Sequence, residues 1–215
     1  PEKFVGVVAG PRFDLEWMSG EPESSDFYDA KGIVESLLAE FGVTASFVPA
    51  EETTFEPGRC AQIMIPSAGR AVIGVLGEVA SDVLSTFDID IAPVAMFELD
   101  VEAIARLPEL QSLGQQDYVP FGRFPDSARD LALVIDDNVS AADVLALAER
   151  NRLVVSATVF DVYKGDAIPS GKKSLAVRVV YQAPDRTLTA DELIKAENSI
   201  LRALEHNFGA ELRAR

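Results

Sequence analysis

The sequence predicts an α+β fold with antiparallel sheets, and three observations support this prediction. Short segments with the two-residue period of β-strands follow one another without the regular helix alternation of a parallel sheet. Two long amphipathic helices carry capping residues at their starts. An aperiodic stretch with prolines, Pro108–Phe124, divides the 215 residues into two predicted domains, 1–117 and 118–215.

Charge differs sharply between the two predicted domains. Residues 1–117 contain 6 Lys/Arg and 21 Asp/Glu, whereas residues 118–215 contain 13 and 14. The net negative charge of the first domain repels a phosphate backbone, whereas the nearly balanced charge of the second domain allows local basic patches. Any nucleic acid is therefore expected to bind the second domain.

The first domain is predicted to combine short strands with two helices. Its expected elements are, in order, strand Phe4–Ala9, helix Asp26–Phe41, strands Ala45–Val48, Ala61–Ile65 and Ala71–Gly77, helix Ala80–Phe87 and strand Val94–Leu99. Asp26 and Asp29 have the spacing of a capping pair, and Gly42 ends the first helix. The apolar stripe that this helix is expected to bury consists of Ile33, Val34, Leu37, Leu38 and Phe41.

The second domain has a simpler pattern. Its expected elements are strand Asp130–Ile135, helix Ser140–Asn151, strands Leu153–Tyr163 and Lys173–Gln182, helix Thr189–Phe208 and a last strand at Glu211–Arg213. Ser140 and Thr189 are the expected N-caps of the two helices. The order βαββαβ is that of a ferredoxin-like sandwich, in which both helices cover one face of the sheet.

The two central strands of this domain predict an open, partly polar face. Alternate positions expected to face the core are Phe160, Val162, Leu175, Val177 and Val179. The opposite face is mostly small and apolar, with Ala157 and Val159 on the first of these strands, and it ends in Asp161, Tyr163, Ser174 and Arg178. Such a face suits a flat ligand with hydrogen-bonding edges, such as an unstacked nucleobase. The alternative is a second layer of the same protein over this face, which the ferredoxin-like arrangement disfavours.

Basic residues surround the turn between these strands. Those near the hairpin are Lys164, Lys172, Lys173, Arg178 and Arg186, and Arg123 and Arg129 approach from the first strand. Cations beside the stacking-capable Tyr163 favour single-stranded RNA as the ligand, because phosphate contacts position a strand while aromatic and polar groups read its bases. The alternative is that these cations are ordinary solvent-exposed charges of a hairpin.

Other functional classes have weaker support. The acidic pairs Asp26/Asp29, Asp88/Asp90 and Glu98/Asp100 have the chemistry of metal ligands or acid–base catalysts, but a helix-capping role for the first pair and turn positions for the other two are favoured. The single histidine, His206, excludes a multi-His metal site. The single cysteine, Cys60, excludes an internal disulfide and predicts a protein of the reducing cytoplasm. No stretch approaches 18 uncharged apolar residues, so no membrane span is expected. The N-terminus has neither Met nor a signal pattern, which indicates part of a longer protein.

Several of these segments carry a family likeness. Residues 160–165, 171–176 and 186–189, together with Phe124-Pro125 and residues 129–133, resemble the ferredoxin-fold anticodon-binding domain of bacterial phenylalanyl-tRNA synthetase beta subunits. Residues 26–32, 57–59, 73–78 and 97–100 look like the catalytic-like domain of the same subunits. The likeness covers nearly the whole chain in the family's order and spacing.

The resemblance implies a role in a heterotetramer of two alpha and two beta subunits that joins phenylalanine to tRNA(Phe) with ATP and magnesium. The alpha subunit would perform the chemistry. The first domain would have a class II synthetase-like fold without catalytic residues, so this chain alone is expected to have no catalytic activity and to bind no cofactor or metal. A purely protein-binding assembly module that uses the open sheet face is the alternative.

The resemblance also implies roles for individual residues. Tyr163 would stack on the wobble guanine of the anticodon, Asp161 would accept hydrogen bonds from its Watson–Crick edge, and Ser174 would lie beside them. Backbone or neighbouring-base contacts are expected from Lys164, Lys172, Arg178 and Arg129. The sequence departs from the family at three places. Phe55-Glu56 replaces a His before the turn at 57–59, Ser81 replaces a proline, and the first strand of the second domain begins with a single arginine.

Overall fold

The chain divides into two compact units, Pro1–Asp117 and Tyr118–Arg215. The computed structural model describes residues 2–13, 23–111, 123–165 and 167–213. Each unit has one antiparallel sheet, which confirms the α+β prediction. No helix among the described residues is long and apolar enough to cross a lipid bilayer. Most of the predicted connection, residues 112–122, lies outside the described residues.

The first unit is a five-stranded sheet with helices between its strands. Its elements are β1 (Lys3–Ala9), α1 (Phe27–Glu40), β2 (Ser46–Pro49), β3 (Phe55–Ile65), β4 (Ala71–Val79), α2 (Ser81–Thr86), β5 (Val94–Asp100), α3 (Val101–Ala105) and α4 (Pro108–Gln111). The strand order is β1-β5-β4-β3-β2, and every neighbouring pair is antiparallel. The short helices α3 and α4 were not predicted. They are too short to show the apolar period by which a helix is recognised in a sequence.

Helix α1 covers one face of this sheet. Its start is the predicted capping box, in which Asp26 accepts from the Tyr28 amide and Asp29 accepts from the Asp26 amide. Val34 and Leu38 are buried in the core, as predicted, together with Ile63 and Leu99 of the sheet. The prediction for Ile33 was wrong, because that side chain is 46% exposed.

The second unit is a ferredoxin-like sandwich. Its elements are β6 (Ser127–Asp136), α5 (Ala141–Ala148), β7 (Val154–Tyr163), β8 (Lys172–Tyr181), α6 (Ala190–Phe208) and β9 (Glu211–Leu212). The sheet order is β7-β8-β6-β9, with antiparallel neighbours throughout. Ser140 caps α5, and Thr189 forms a capping box with Glu192 at the start of α6, as predicted.

Both helices of the second unit pack on the same face of its sheet. That face supplies Leu131, Leu133, Ile135, Leu175 and Val177 to a core that also contains Val144 of α5 and Leu193 and Ile200 of α6. The alternate residues of β8, which include Ser174, Ala176 and Arg178, point to the opposite side. Within the described part of this unit, no helix belongs to that second face. We call it the open face.

Candidate nucleic-acid interface

The open face is built from alternate residues of β6 and β8, with an irregular contribution from β7. Asp130 lies opposite Arg178, Ala132 opposite Ala176 and Val134 opposite Ser174 in the β6–β8 ladder. Small side chains in the middle of the face leave the backbone accessible to a flat ligand. Polar and aromatic groups lie at both ends of this row.

A β-bulge in β7 changes which side chains reach the open face. Thr158 lies opposite Arg178 and Val159 opposite Val177, but the next pair joins Asp161 to Ala176, which leaves Phe160 as the extra residue. Since Thr158 faces the open side, Phe160 faces it too by the strand period. The bulge then brings Asp161 to the same side as Phe160.

The bulge corrects the predicted faces of β7. Phe160 was predicted in the core and is instead 55% exposed on the open side. Ala157 and Val159, predicted on the open face, lie opposite Val179 and Val177 and pack against the core. A prediction from a strict period of two assigns the residues on one side of a bulge to the wrong face, because the extra residue shifts the alternation by one position.

The three residues expected to read a base lie on one face. Asp161 is opposite Ala176, and Tyr163 is directly opposite Ser174. Asp161 is exposed and makes no hydrogen bond or ion pair with any described residue, so its carboxylate has free acceptor positions. Tyr163 is 40% exposed, whereas Ser174 is only 5% exposed. Ser174 therefore shares the face of Asp161 and Tyr163, as expected, but its side chain is almost fully buried.

Tyr163 is held by two neighbours that sequence reasoning did not identify. The guanidinium carbon of Arg213, just after β9, lies 5.5 Å from the centroid of the tyrosine ring. A Cβ atom placed on Gly165 would lie 2.4 Å from the tyrosine hydroxyl oxygen, so only glycine fits there while the ring keeps its position. The ring orientation therefore depends on one residue in the β7–β8 connection and on one residue just after β9.

Each predicted RNA-binding cation has an acidic partner within the chain. Lys164 Nζ lies 2.6 Å from Asp137 Oδ1, and Lys172 Nζ lies 3.5 Å from Glu211 Oε1. Arg178 forms a two-pronged pair with Asp130, with both N···O distances at 2.8 Å. These contacts hold the pKa of Asp137 and of Asp130 below the usual range, because Lys164 and Arg178 hydrogen-bond to the charged carboxylates.

Arg129 does not join the open face. It lies opposite Val179, which is a core-facing residue of β8, and its nearest charged partner is Glu197 of α6 at 4.0 Å. The sheet therefore separates Arg129 from Asp161 and Tyr163. Alternation along β6 places odd-numbered residues on the helix side of the sheet, so any RNA contact of Arg129, which stays a prediction, would be made away from the open face.

Two of the three acidic pairs of the first unit, Asp26/Asp29 and Glu98/Asp100, are engaged in structural contacts. Asp29 accepts from Arg12 Nε at 3.0 Å in addition to the helix-capping amide, and Glu98 and Asp100 pair with Lys3. Among the residues that the structure describes, no three or more His, Cys, Asp or Glu side chains are placed to hold a metal ion. The donor sets therefore favour the capping and turn roles over the metal alternative.

Two family models match the chain in succession. Residues 1–101 match the phenylalanyl tRNA synthetase beta chain CLM domain, and residues 122–213 match the ferredoxin-fold anticodon binding domain.

Curated relatives match over the whole chain. The phenylalanine–tRNA ligase beta subunits of Moorella thermoacetica, Geobacillus kaustophilus and Geobacter sulfurreducens are 41%, 40% and 36% identical to it. Each alignment covers 99% of this chain and 26% of the relative, so the chain spans about a quarter of the length of these relatives.

Proposed function

The chain belongs to the phenylalanine–tRNA ligase beta subunits, with their CLM domain followed by their ferredoxin-fold anticodon-binding domain, and from this we propose that its open face binds unpaired anticodon bases of tRNA(Phe). The observation that carries the proposal is the common orientation of Asp161 and Tyr163 on an uncovered sheet face. An aromatic ring and a carboxylate on one face offer stacking and edge recognition to the same base.

The base that best fits this pair is guanine. Its Watson–Crick edge presents two adjacent donors, and the Asp161 carboxylate, which has no partner among the described residues, presents two acceptor oxygens. Tyr163 supplies a stacking surface that accepts any base, so preference among bases comes from Asp161. Ser174, which is nearly buried opposite Tyr163, supports the ring rather than contacting the base edge.

The proposal is tested by titrating RNA hairpins with the tRNA(Phe) anticodon loop into the whole chain. Tyr163→Ala should weaken binding by about 1–3 kcal/mol, the range for a lost base–aromatic stack. Asp161→Asn should reduce the preference for a hairpin with guanine over one with adenine at the wobble position. Tyr28→Ala is a matched control, since Tyr28 is an equally large, 66% exposed tyrosine of the first unit.

Two outcomes of this titration contradict the proposal. If the unmodified chain binds no hairpin but associates with protein through the open face, the chain is an assembly module. If Asp161→Asn keeps the full guanine preference, the carboxylate does not read the base.

We further propose that the first unit joins the chain to the catalytic alpha subunit. This proposal is supported by exposed apolar side chains along the edge strand β1, where Phe4 and Val5 are each 50% exposed and Val7 is 62% exposed. The ligation of phenylalanine with ATP and magnesium would take place in the alpha subunit of a cytoplasmic heterotetramer. This chain would supply no catalytic residue and no cofactor ligand. Co-purification of the chain with the alpha subunit measures this role.

A further inference from the structure

The bulge in β7 exposes a second aromatic ring on the open face. Phe160 is 55% exposed, compared with 40% for Tyr163, and both rings belong to the same strand. Asp161 lies between them along the chain. A single exposed phenylalanine is common on protein surfaces, so exposure alone carries no functional meaning. The surroundings of this ring are what distinguish it.

Arg178 is fixed beside the Phe160 ring. Its guanidinium carbon lies 5.4 Å from the ring centroid, which is within the range of a cation–π contact. The pair with Asp130 occupies Nε and Nη2, so the guanidinium plane is held in place while its Nη1 donors remain available. Ring and guanidinium together form a flat, rigid surface, which we call the Phe160–Arg178 platform.

The platform and Tyr163 lie at different places along the sheet. Tyr163 is opposite Ser174, which lies four residues or about 13 Å from Arg178 along β8, and Phe160 lies three residues or about 10 Å from Tyr163 along β7. A single base is too small to stack on both rings at this spacing. Four-stranded sheets that bind single-stranded RNA with two exposed aromatic residues stack two or three bases at once.

We propose that the Phe160–Arg178 platform is a second base-stacking subsite, which receives another unpaired base of the loop whose guanine stacks on Tyr163. This inference rests on the function proposed above and deepens it. The ligand is an unstacked nucleobase of any identity, because the platform offers a π-surface and donors but no carboxylate. Affinity for the loop is then shared between two rings, whereas base preference comes from Asp161.

The test uses anticodon-loop hairpins with 2-aminopurine at each unpaired loop position in turn, titrated with the whole chain. The unmodified chain should change the fluorescence at two or more positions. Tyr163→Ala should remove the change at one position, and Phe160→Ala should remove it at a different one. Phe160→Ala should also weaken binding of unlabelled hairpin roughly five- to hundred-fold, which is the affinity lost with one base stack.

Two further variants separate stacking from other effects. Phe160→Trp keeps a π-surface and should keep the affinity, whereas Phe160→Leu keeps an apolar side chain and should lose it. Val162→Ala is the matched control, because Val162 is 53% exposed on the same strand but lies opposite the core residue Leu175. Circular dichroism melting of each variant checks that it is folded.

The failures are distinguishable. If the unmodified chain binds no hairpin, both the function proposed above and the subsite are contradicted. If Tyr163→Ala weakens binding and Phe160→Ala does not, only the subsite is overturned. The subsite is also overturned if both variants remove the fluorescence change at the same loop position, or if Phe160→Leu binds as tightly as Phe160→Trp. A Phe160→Ala variant that loses the alpha subunit but keeps the hairpin would assign the platform to protein binding and overturn the subsite.

Discussion

The ring of Tyr163 is in close contact with a glycine, and no described residue forms a hydrogen bond with its hydroxyl group. The Gly165 backbone lies so close to the tyrosine hydroxyl that any side chain at this position meets the ring. No left-handed backbone conformation is involved, because Gly165 is absent from the glycines with positive φ. The requirement for glycine at residue 165 is therefore purely one of space.

We predict that Gly165→Ala displaces the ring of Tyr163 and weakens binding of the anticodon hairpin. The loss should approach that of the stack itself, about 1–3 kcal/mol. The melting temperature should change little, because a tyrosine tip can move without disturbing the core. Hairpin titration and circular dichroism melting measure the two effects. Gly32→Ala in α1, where a Cβ meets nothing within 4 Å, is the control. Unchanged hairpin affinity in Gly165→Ala would show that the ring is not held in this way.

At the scale of elements, Asp137 joins the end of β6 to both sides of the β7–β8 connection. Its carboxylate pairs with Lys164, its carbonyl oxygen accepts from Lys173 Nζ at 2.9 Å, and its amide donates to the Gly171 carbonyl at 2.9 Å. Burial lowers the pKa of Lys173. The positive charges of Lys164 and Lys173 are thus partly compensated by Asp137.

Replacing Asp137 with Asn should make hairpin binding more salt-dependent. The variant keeps the backbone contacts but frees Lys164 for phosphate, and each added phosphate contact steepens the plot of log affinity against log salt by about 0.7 for single strands. Titrations at several salt concentrations measure the slope. Asp126→Asn serves as the charge-matched control, since Asp126 is exposed and forms no ion pair with the described residues. Parallel plots for the two variants would mean that Lys164 does not meet phosphate.

Regular elements were predictable from sequence where periodicity and caps agree. The helix α6 has both a capping box and a four-residue buried stripe, Leu193, Ala196, Ile200 and Leu204, and its predicted bounds hold within a residue. The bulge was not predictable, because one extra residue in a strand leaves no mark in composition. It is the reason that Phe160 was assigned to the core and that the open-face residues of β7 were only partly identified.

Contacts between residues that lie far apart in the sequence could not be predicted either. Nothing in the sequence near Tyr163 predicts its contact with Arg213, because that residue lies 50 positions later in the chain. The pairing of Arg178 with Asp130 likewise depends on the neighbouring strand register of β6 and β8. Glu56 and Ser81, two positions where the sequence departs from the family pattern, turn out to contact each other, since the Ser81 amide donates to the Glu56 carboxylate at 2.8 Å.

At the scale of the whole molecule, the two units divide charge and exposed surface between them. The first is strongly acidic and has the apolar edge strand β1, whereas the second has nearly balanced charge and the open face. This division matches the proposed roles, since an acidic unit repels RNA and an apolar edge suits a protein partner.

We predict that Val7→Asp reduces co-purification of the chain with the alpha subunit at least tenfold and leaves hairpin binding unchanged. A charge on this 62% exposed position would be buried without a partner at an apolar interface. Ile33→Asp on α1, at a 46% exposed position of the same unit, is the control for surface charge. Retention of the alpha subunit by Val7→Asp would place the contact elsewhere.

The extra residue in β7 adds one side chain to the open face without turning its neighbours away, since Thr158 and Asp161 both face that side although they are three positions apart. Deleting Phe160 would leave a regular ladder with Val159 opposite Val177 and Asp161 opposite Ala176, so Asp161 and Tyr163 would keep their side of the strand. The loop would then lose one stacking surface and keep the other. Natural variants that lack one residue in this segment should therefore still read the wobble base but bind the rest of the loop less tightly.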